Sequence, residues 1–189
     1  MIERKTIDNT NSKYKSLTEP AAIFIASRLL FILVIILSGN SLSNILSYSD
    51  GQHYIDIANY GYYSAEVTAF FPVIPLIIRF IGIPGLLIVN QISFFLFLYL
   101  LKKLGLSSKS LLIAAINPVS FFSMILYTES IYMTLTLLAF YLYKTRKNRI
   151  LTGILIGLSV CTRNSGAMLF FAIFIAMVWD FIKKETKFK

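Results

Sequence analysis

The sequence predicts an all-α membrane protein, a polytopic bundle of about six transmembrane helices. The chain of 189 residues is 57% hydrophobic and only 14% charged, and its mean hydropathy is +0.72. Charged residues make up about a quarter of an ordinary soluble domain, so this composition excludes that class. Long apolar runs separated by short basic clusters then divide the chain into membrane spans and loops.

The first apolar run, residues 21–37, is predicted to be a transmembrane helix and not a cleavable signal. It follows a polar stretch, exceeds the apolar region of a signal peptide in length, and has no small-residue cleavage site after it. A helix needs about 20 apolar residues to cross the hydrocarbon core. Asn117 before Pro118 predicts a kink within one span. The six predicted crossings lie near residues 21–38, 84–101, 110–127, 130–143, 150–162 and 166–182.

The basic residues support this division of the chain. All of the 18 Lys and Arg residues except Arg28, Arg79 and Arg163 fall on one side of the membrane if the chain crosses six times. By the positive-inside rule that side is the cytoplasm, which also holds both termini and the tail of residues 1–20. The net charge of +9 is spread over short clusters beside apolar spans, so we exclude nucleic acid as a partner.

The longest polar interruption, residues 39–83, falls on the predicted extracytoplasmic side. Its apolar second half, residues 69–84, carries three prolines and a glycine. Counting this half as a crossing would reverse the orientation of every later span. We therefore predict a re-entrant or interfacial helix there, within a single transmembrane domain of residues 1–189.

A short helix is predicted at the start of this loop, in the stretch SDGQHYIDIANYGY, residues 49–62. Ser49 and Gln52 have the spacing of a capping box, and Gly61 favours the helix end. Asp50 then lies in the first turn, where the helix dipole and free backbone N–H groups favour an ionised carboxylate. One face of this helix consists of Asp50, Tyr54, Ile57 and Ala58.

Three separated motifs resemble those of one known family. NPVSFFSMILYTES, residues 117–130, matches its Asn-Pro segment, and TRNSG, residues 162–166, matches its Thr-Arg turn. Ser49 stands where that family has a tryptophan. The chain thereby resembles the N-terminal half of the PIG-V-like mannosyltransferases, relatives of the second mannosyltransferase of GPI-anchor synthesis in the GT-C superfamily. The loop residues that match are Asp50, His53, Tyr54, Ile57, Ala58, Gly61, Tyr62, Ala69, Phe70, Phe71, Pro72 and Pro75.

The outward position of the polar loops constrains the chemistry. An enzyme with this topology does not reach cytoplasmic nucleotide sugars, so its donor must be a lipid-linked sugar already across the membrane. The resemblance implies a GT-C-like bundle, a polyprenyl or dolichyl phosphate mannose donor, and Asp50 as the base that takes the proton of the acceptor hydroxyl. The alternative for Asp50 is that it only caps a helix.

The candidate substrate-binding residues come from all three motifs. Arg163, beside Asn164, is the candidate for the leaving phosphate, because a guanidinium binds phosphate oxygens bidentately; its alternative is a side chain that snorkels to the interface. Glu129 either orients the acceptor or forms a structural ion pair with Arg163. His53 and Tyr54 are candidates for acceptor binding, and a hydrogen-bonded structural histidine explains His53 equally well. Arg28 could reach an inner headgroup or pair within the bundle, and snorkelling is the simpler account of it.

Cofactors and partners follow from the same residues. One cysteine and one histidine exclude an internal disulfide, a cysteine metal cluster and a three-His zinc site. A divalent metal held by His53 and Asp50 stays open, and no other cofactor is predicted. The alternatives to an enzyme are a lipid-phosphate-sugar binding half that needs a second membrane subunit, and a small transporter or flippase. Coupled carriers place their ionisable residues at the midplane, which disfavours a transporter here.

Overall fold

The computed structural model describes residues 2–39, 41, 45–46 and 49–186, with side chains between residues 17 and 183 of those ranges. All regular structure in the described part of the chain is helical, which confirms the predicted all-α class. The elements are α1 (Ile2–Leu37), α2 (Asp50–Tyr60), a 3-10 helix (Glu66–Ala69), α3 (Val73–Lys103), α4 (Ser108–Ile116), a second 3-10 helix (Pro118–Met124), α5 (Glu129–Thr145), α6 (Arg149–Thr162) and α7 (Gly166–Thr186).

The helix lengths fit a multi-pass integral membrane protein. Among the described residues, three helices are long and apolar enough to cross a membrane: Leu17–Leu37 within α1, Val73–Lys103, and Gly166–Lys183 within α7. Pro118–Met124 and Glu129–Thr145 meet at 103° and add a fourth crossing if they form one broken span. The shorter helix α6 is also apolar. Six crossings stay a prediction.

The boundaries of the first two spans differ from the predicted ones. Helix α1 begins at Ile2, so the predicted tail and the first span form one helix, with Pro20 inside it. Helix α3 includes the segment predicted to be re-entrant or interfacial, but its backbone breaks at Gly82, with φ 73° and ψ 176°. Glycine adopts a positive φ without the steric cost of a side chain. The break lies two residues before Pro84, where the second crossing was predicted to begin.

The third predicted crossing is interrupted. Helix α4 ends at Ile116, and Asn117, with φ −54° and ψ 137°, leaves the helical region. A residue before proline is disfavoured in the α conformation, and here the Asn117 side chain accepts a hydrogen bond from the Val119 N–H at 2.9 Å. The kink predicted at Asn117 is therefore confirmed. The predicted crossing near residues 110–127 thus consists of two helical segments, Ser108–Ile116 and Pro118–Met124, that meet at this kink.

Polar side chains of neighbouring helices satisfy the irregular backbone after this break. On α3, Asn90 donates to the Ile125 carbonyl at 2.7 Å, and Gln91 donates to the Ser123 carbonyl at 3.0 Å. On α1, Arg28 donates to the Ser123 hydroxyl at 2.7 Å. Irregular backbone at membrane depth is tolerated only where protein or water satisfies it. Arg28 is only 7% exposed, so the snorkelling account of this residue is wrong.

Contacts between helices place the basic helix ends together. Helices α1 and α6 run opposite to α3, α5 and α7. The C-terminal ends of α3, α5 and α7 therefore gather at one end of the bundle, called the basic end below. The segment before α5 and the α6–α7 turn lie at the other end. The contacts that fix these directions are Glu19 with Lys102, Ser93 with Thr134, Tyr143 with Asp180, and Glu129 with Arg163.

Candidate active site

Helix α2 presents Asp50 at its first residue, as the sequence predicts. The helix ends at Tyr60, and Gly61 follows with φ 74°. Asp50 is partly exposed, and the Ser49 hydroxyl donates to its Oδ1 at 3.3 Å. The carboxylate therefore lies at a helix N-terminus, where the dipole stabilises its charge, and it stays accessible to a ligand.

The capping box predicted for this helix is not formed. Ser49 has φ 55° and makes no side-chain cap to the helix. Gln52 instead donates to Asp56 Oδ1 at 2.8 Å, one turn further along the same helix. The buried residues of α2 are Gly51, Tyr54, Ile57 and Ala58. Three of the four predicted residues are therefore buried, and Asp50 is not among them.

An aromatic cluster joins α2 to the segment before α3. The ring of Phe70 meets the ring of His53 at 4.8 Å between centroids and the ring of Tyr54 edge-on at 5.2 Å. The Tyr62 hydroxyl donates to the Phe70 carbonyl at 2.9 Å, which fixes the loop that carries Phe70. Edge-to-face aromatic pairs contribute about 0.5–1.5 kcal/mol beyond the area they bury. Phe70 thus positions both predicted side chains of α2.

A carboxylate and a guanidinium from distant motifs pair beside this cluster. Arg163 Nη1 donates to Glu129 Oε1 at 2.5 Å and makes a longer contact of 3.5 Å with the Thr128 hydroxyl. The Glu129 side chain is 13% exposed, whereas the Arg163 side chain is 45% exposed. Glu129 Oε2 is buried and makes no hydrogen bond within the described part of the chain. The pair therefore keeps a free carboxylate oxygen and an accessible guanidinium.

Tyr54 is a buried hydroxyl whose pKa responds to the charges around it. Burial raises the pKa of the Tyr54 hydroxyl well above its ordinary value, and the negative charges of Asp50 and Glu129 raise it further, whereas the positive charge of Arg163 lowers it. Tyr54 therefore stays a neutral O–H group, and three charged side chains act on it. Asp50, Tyr54, Glu129 and Arg163 are called the charged cluster below, and the hydrogen bond of Arg163 to Glu129 is its direct contact.

Two predicted substrate-binding residues lie at the edge of this cluster. His53 is exposed and contacts Phe70, and Asn164 is exposed in the α6–α7 turn. Sequence reasoning assigned no role to Phe70 or Thr128, although Phe70 belongs to the loop motif and Thr128 precedes Glu129. Within the described ranges, no group of three or more His, Cys, Asp or Glu side chains could hold a metal ion.

The turn that carries Arg163 depends on Gly166. A Cβ atom at Gly166 would lie 2.5 Å from the carbonyl carbon and oxygen of Ser159 and from the amide nitrogen of Val160. The start of α7 thus packs directly on the backbone of α6, and only glycine fits this approach. The glycine of the TRNSG motif consequently sets where Arg163 stands.

Gly166→Ala should destabilise the protein, because the added methyl group forces the backbones of α6 and α7 apart. Overpacking of this kind costs about 1–3 kcal/mol in the free energy of unfolding, which thermal unfolding in detergent measures. Gly157→Ala on α6 is the matched control, since no atom lies within 4 Å of its Cβ position. Equal stability of the two variants would show that Gly166 does not hold the turn.

The described chain is thus an all-α protein with the helix lengths of a multi-pass membrane protein. A charged cluster lies at the end of its bundle opposite the basic end. No protein-family model matches the chain, and comparisons with the curated proteins and with the solved structures find no match. What the cluster does therefore has to follow from its own chemistry and from the sequence motifs.

The charged cluster combines groups that suit a displacement at a carbon atom with a phosphate as the leaving group. Asp50 is an accessible carboxylate that accepts a proton, and Arg163 is an accessible cation suited to phosphate oxygens. Glu129 holds Arg163, and its buried second oxygen has no hydrogen-bond partner within the described part of the chain. A cavity of about 340 Å³ lies between α5, α6 and α7, and none of the four residues of the charged cluster lines it.

Proposed function

We propose that this chain is an integral-membrane glycosyltransferase, a mannosyltransferase that uses a polyprenyl or dolichyl phosphate donor and an extracytoplasmic acceptor. The observation that carries the proposal is the convergence of three sequence motifs. Arg163 of the third motif donates a hydrogen bond to Glu129 of the second, and both charges, with that of Asp50 in the first motif, influence the pKa of Tyr54. The choice of mannose as the sugar and of a lipid phosphate as the donor rests on the resemblance of these motifs to the PIG-V-like mannosyltransferases.

The reaction is a single displacement at the anomeric carbon of the donor. The acceptor hydroxyl oxygen forms a bond to that carbon, and its proton goes to the Asp50 carboxylate. The bond between the anomeric carbon and the phosphate oxygen breaks, and its electron pair leaves with the lipid phosphate. General-base catalysis of this kind contributes about 10²–10⁴ in rate.

Arg163 is the group we assign to the leaving phosphate. Its side chain is 45% exposed, and Glu129 occupies one of its nitrogens, so further N–H donors are free to meet phosphate oxygens. A fixed cation stabilises the charge that develops on the leaving group without reorganisation at the moment of reaction. Glu129 orients this guanidinium through its Oε1 atom.

The position of the cluster supports a lipid-linked donor. The cluster lies at the bundle end opposite the basic end, and the positive-inside rule assigns the basic end to the cytoplasm. Nucleotide sugars are then out of reach, and a phosphate carried on a prenyl chain arrives in the plane of the membrane. The length and apolar composition of α1, α3 and α7 support membrane lipids as the surroundings of these helices.

The proposal is tested by transfer from a defined donor. Purified protein is reconstituted with radiolabelled polyprenyl phosphate mannose and with acceptor-containing membranes that lack this chain. We expect label to pass to a lipid or protein acceptor, and no transfer when GDP-mannose replaces the lipid donor. Donor binding without any transfer would instead support the alternative of a binding half that needs a second membrane subunit.

A further inference from the structure

A second candidate site lies along the groove between α6 and α7, with its charged residues at the basic end and none of the charged cluster in its lining. The cavity of about 340 Å³ is formed between α6 and α7, with the last turn of α5 at its rim. Its volume lies within the range of about 300–1,000 Å³ that is typical of small-molecule sites. The proposed transfer reaction makes no use of it.

Two glycines of α6 create this space. Gly153 and Gly157 line the cavity one helical turn apart, and no atom lies within 4 Å of the Cβ position of either residue. In a helix pair that packs closely, such glycines would meet the neighbouring backbone. Here they border open space instead. The opposite wall is apolar and comes from α7, with Phe170, Ile173, Phe174 and Met177.

The rim of the cavity is polar and carries a net positive charge. Arg146 and Arg149 lie there with Asp180 and Tyr143. Asp180 is already engaged, because the Tyr143 hydroxyl donates to it at 3.2 Å and Arg146 approaches it at 3.8 Å. Arg149, the first residue of α6, makes no ion pair in the described part of the chain. An accessible cation at the mouth of an apolar cavity is complementary to an anionic amphiphile, whose charged group meets the cation and whose apolar chain enters the cavity.

We propose that this cavity binds one acyl chain of an anionic phospholipid, whose phosphate pairs with Arg149 and Arg146. The basic helix ends carry the positive-inside signal, which places the cavity mouth at the level of the cytoplasmic headgroups. Basic pockets between transmembrane helices on that side are known to hold anionic headgroups. The apolar walls accept the chain, and the guanidinium groups select the headgroup.

The test compares two lipids that share their acyl chains and differ in charge. Dioleoyl phosphatidylglycerol and dioleoyl phosphatidylcholine are titrated against the full chain in detergent, and retained lipid is measured by native mass spectrometry. We expect phosphatidylglycerol to bind at least about fivefold more tightly, since one basic group near the membrane surface contributes about 1 kcal/mol. Glycerol phosphate without acyl chains should not compete, because the chain supplies the apolar contact.

Three variants separate the wall from the rim. Arg149→Gln should lower the preference for phosphatidylglycerol about fivefold, and adding Arg146→Asn should abolish it. Asparagine suits position 146, where φ is 53°. Gly157→Leu should fill the cavity and remove retention of both lipids without a clash, since its Cβ position faces open space. The controls are Lys109→Gln, a basic residue outside the cavity, and Ile154→Phe on an exposed face of α6.

Several outcomes would overturn the proposal. Equal retention of the two lipids by the wild-type chain would exclude selection by headgroup charge. Retention that persists in Gly157→Leu would place the lipid elsewhere. Competition by free glycerol phosphate would show a simple phosphate site, and an oligomer that Gly157→Leu dissociates would show that another helix occupies the cavity.

Discussion

Replacing Asp50 by asparagine should lower the rate of sugar transfer at least about a hundredfold and leave the donor dissociation constant within about twofold. Asparagine has nearly the same shape and still accepts the hydrogen bond of Ser49, but its amide does not take a proton from the acceptor. Single-turnover transfer and donor binding are measured separately on reconstituted protein. The substitution thus removes only the proton-accepting carboxylate and leaves the shape of the site unchanged.

Asp56→Asn is the matched control for this experiment. Asp56 lies on the same helix and accepts a hydrogen bond from Gln52, away from the charged cluster. The control variant should keep transfer within about threefold of the wild-type rate, well below the effect expected of a lost base. Full activity of Asp50→Asn in a folded protein would reject Asp50 as the base. Glu129, with its unpaired Oε2, would then be the carboxylate to replace.

Replacing Arg163 by glutamine should weaken binding of the lipid phosphate donor at least about tenfold. A hydrogen bond to a charged group contributes about 1.5–3 kcal/mol, and 1.4 kcal/mol is a factor of ten in a dissociation constant. Arg163→Lys should restore only part of this affinity, because an ammonium group lacks the planar fork that binds two phosphate oxygens. Donor binding is measured directly, with thermal unfolding as the test of stability.

Glu129→Gln distinguishes a donor site from a structural ion pair. The Arg163 side chain is 45% exposed, but the Glu129 side chain is only 13% exposed, so loss of Arg163 leaves a mostly buried carboxylate without its partner. We therefore expect Arg163→Gln to unfold at a lower temperature than Glu129→Gln, and to show the larger loss of donor affinity when both are measured in the folded state. Equal destabilisation of both variants, with donor affinity unchanged, would identify a structural pair that takes no part in donor binding.

Local features of the sequence were sufficient to predict helix α2. Its start at Asp50, its end before Gly61 and its buried residues Tyr54, Ile57 and Ala58 follow from spacing and from the preference of glycine for a positive φ. The capping box was not predicted correctly, because Ser49 adopts φ 55° and Gln52 bonds to Asp56 instead. Side-chain partners of this kind depend on neighbours that sequence spacing alone does not specify.

Tertiary contacts decided the features that the sequence left open or missed. Asn117 before Pro118 predicted the kink, but the donors that satisfy the broken span, Asn90 and Gln91, come from α3 and carry no local signal. The pairing of Glu129 with Arg163 was one of two alternatives, since nothing in spacing distinguishes a partner 34 residues away. The cavity beside Gly157 also depends on how α6 and α7 diverge.

The position of Asp50 at the extracytoplasmic face is the central claim, and thiol labelling tests it most directly. In a Cys161→Ser background, single cysteines replace Asn59 on α2 and Asn148 at the basic end. Both asparagines are exposed, so both cysteines are accessible in permeabilised cells. In intact cells, an impermeant maleimide should label position 59 and leave position 148 unlabelled. Labelling of position 148 and protection of position 59 would place Asp50 in the cytoplasm and contradict a lipid-linked donor.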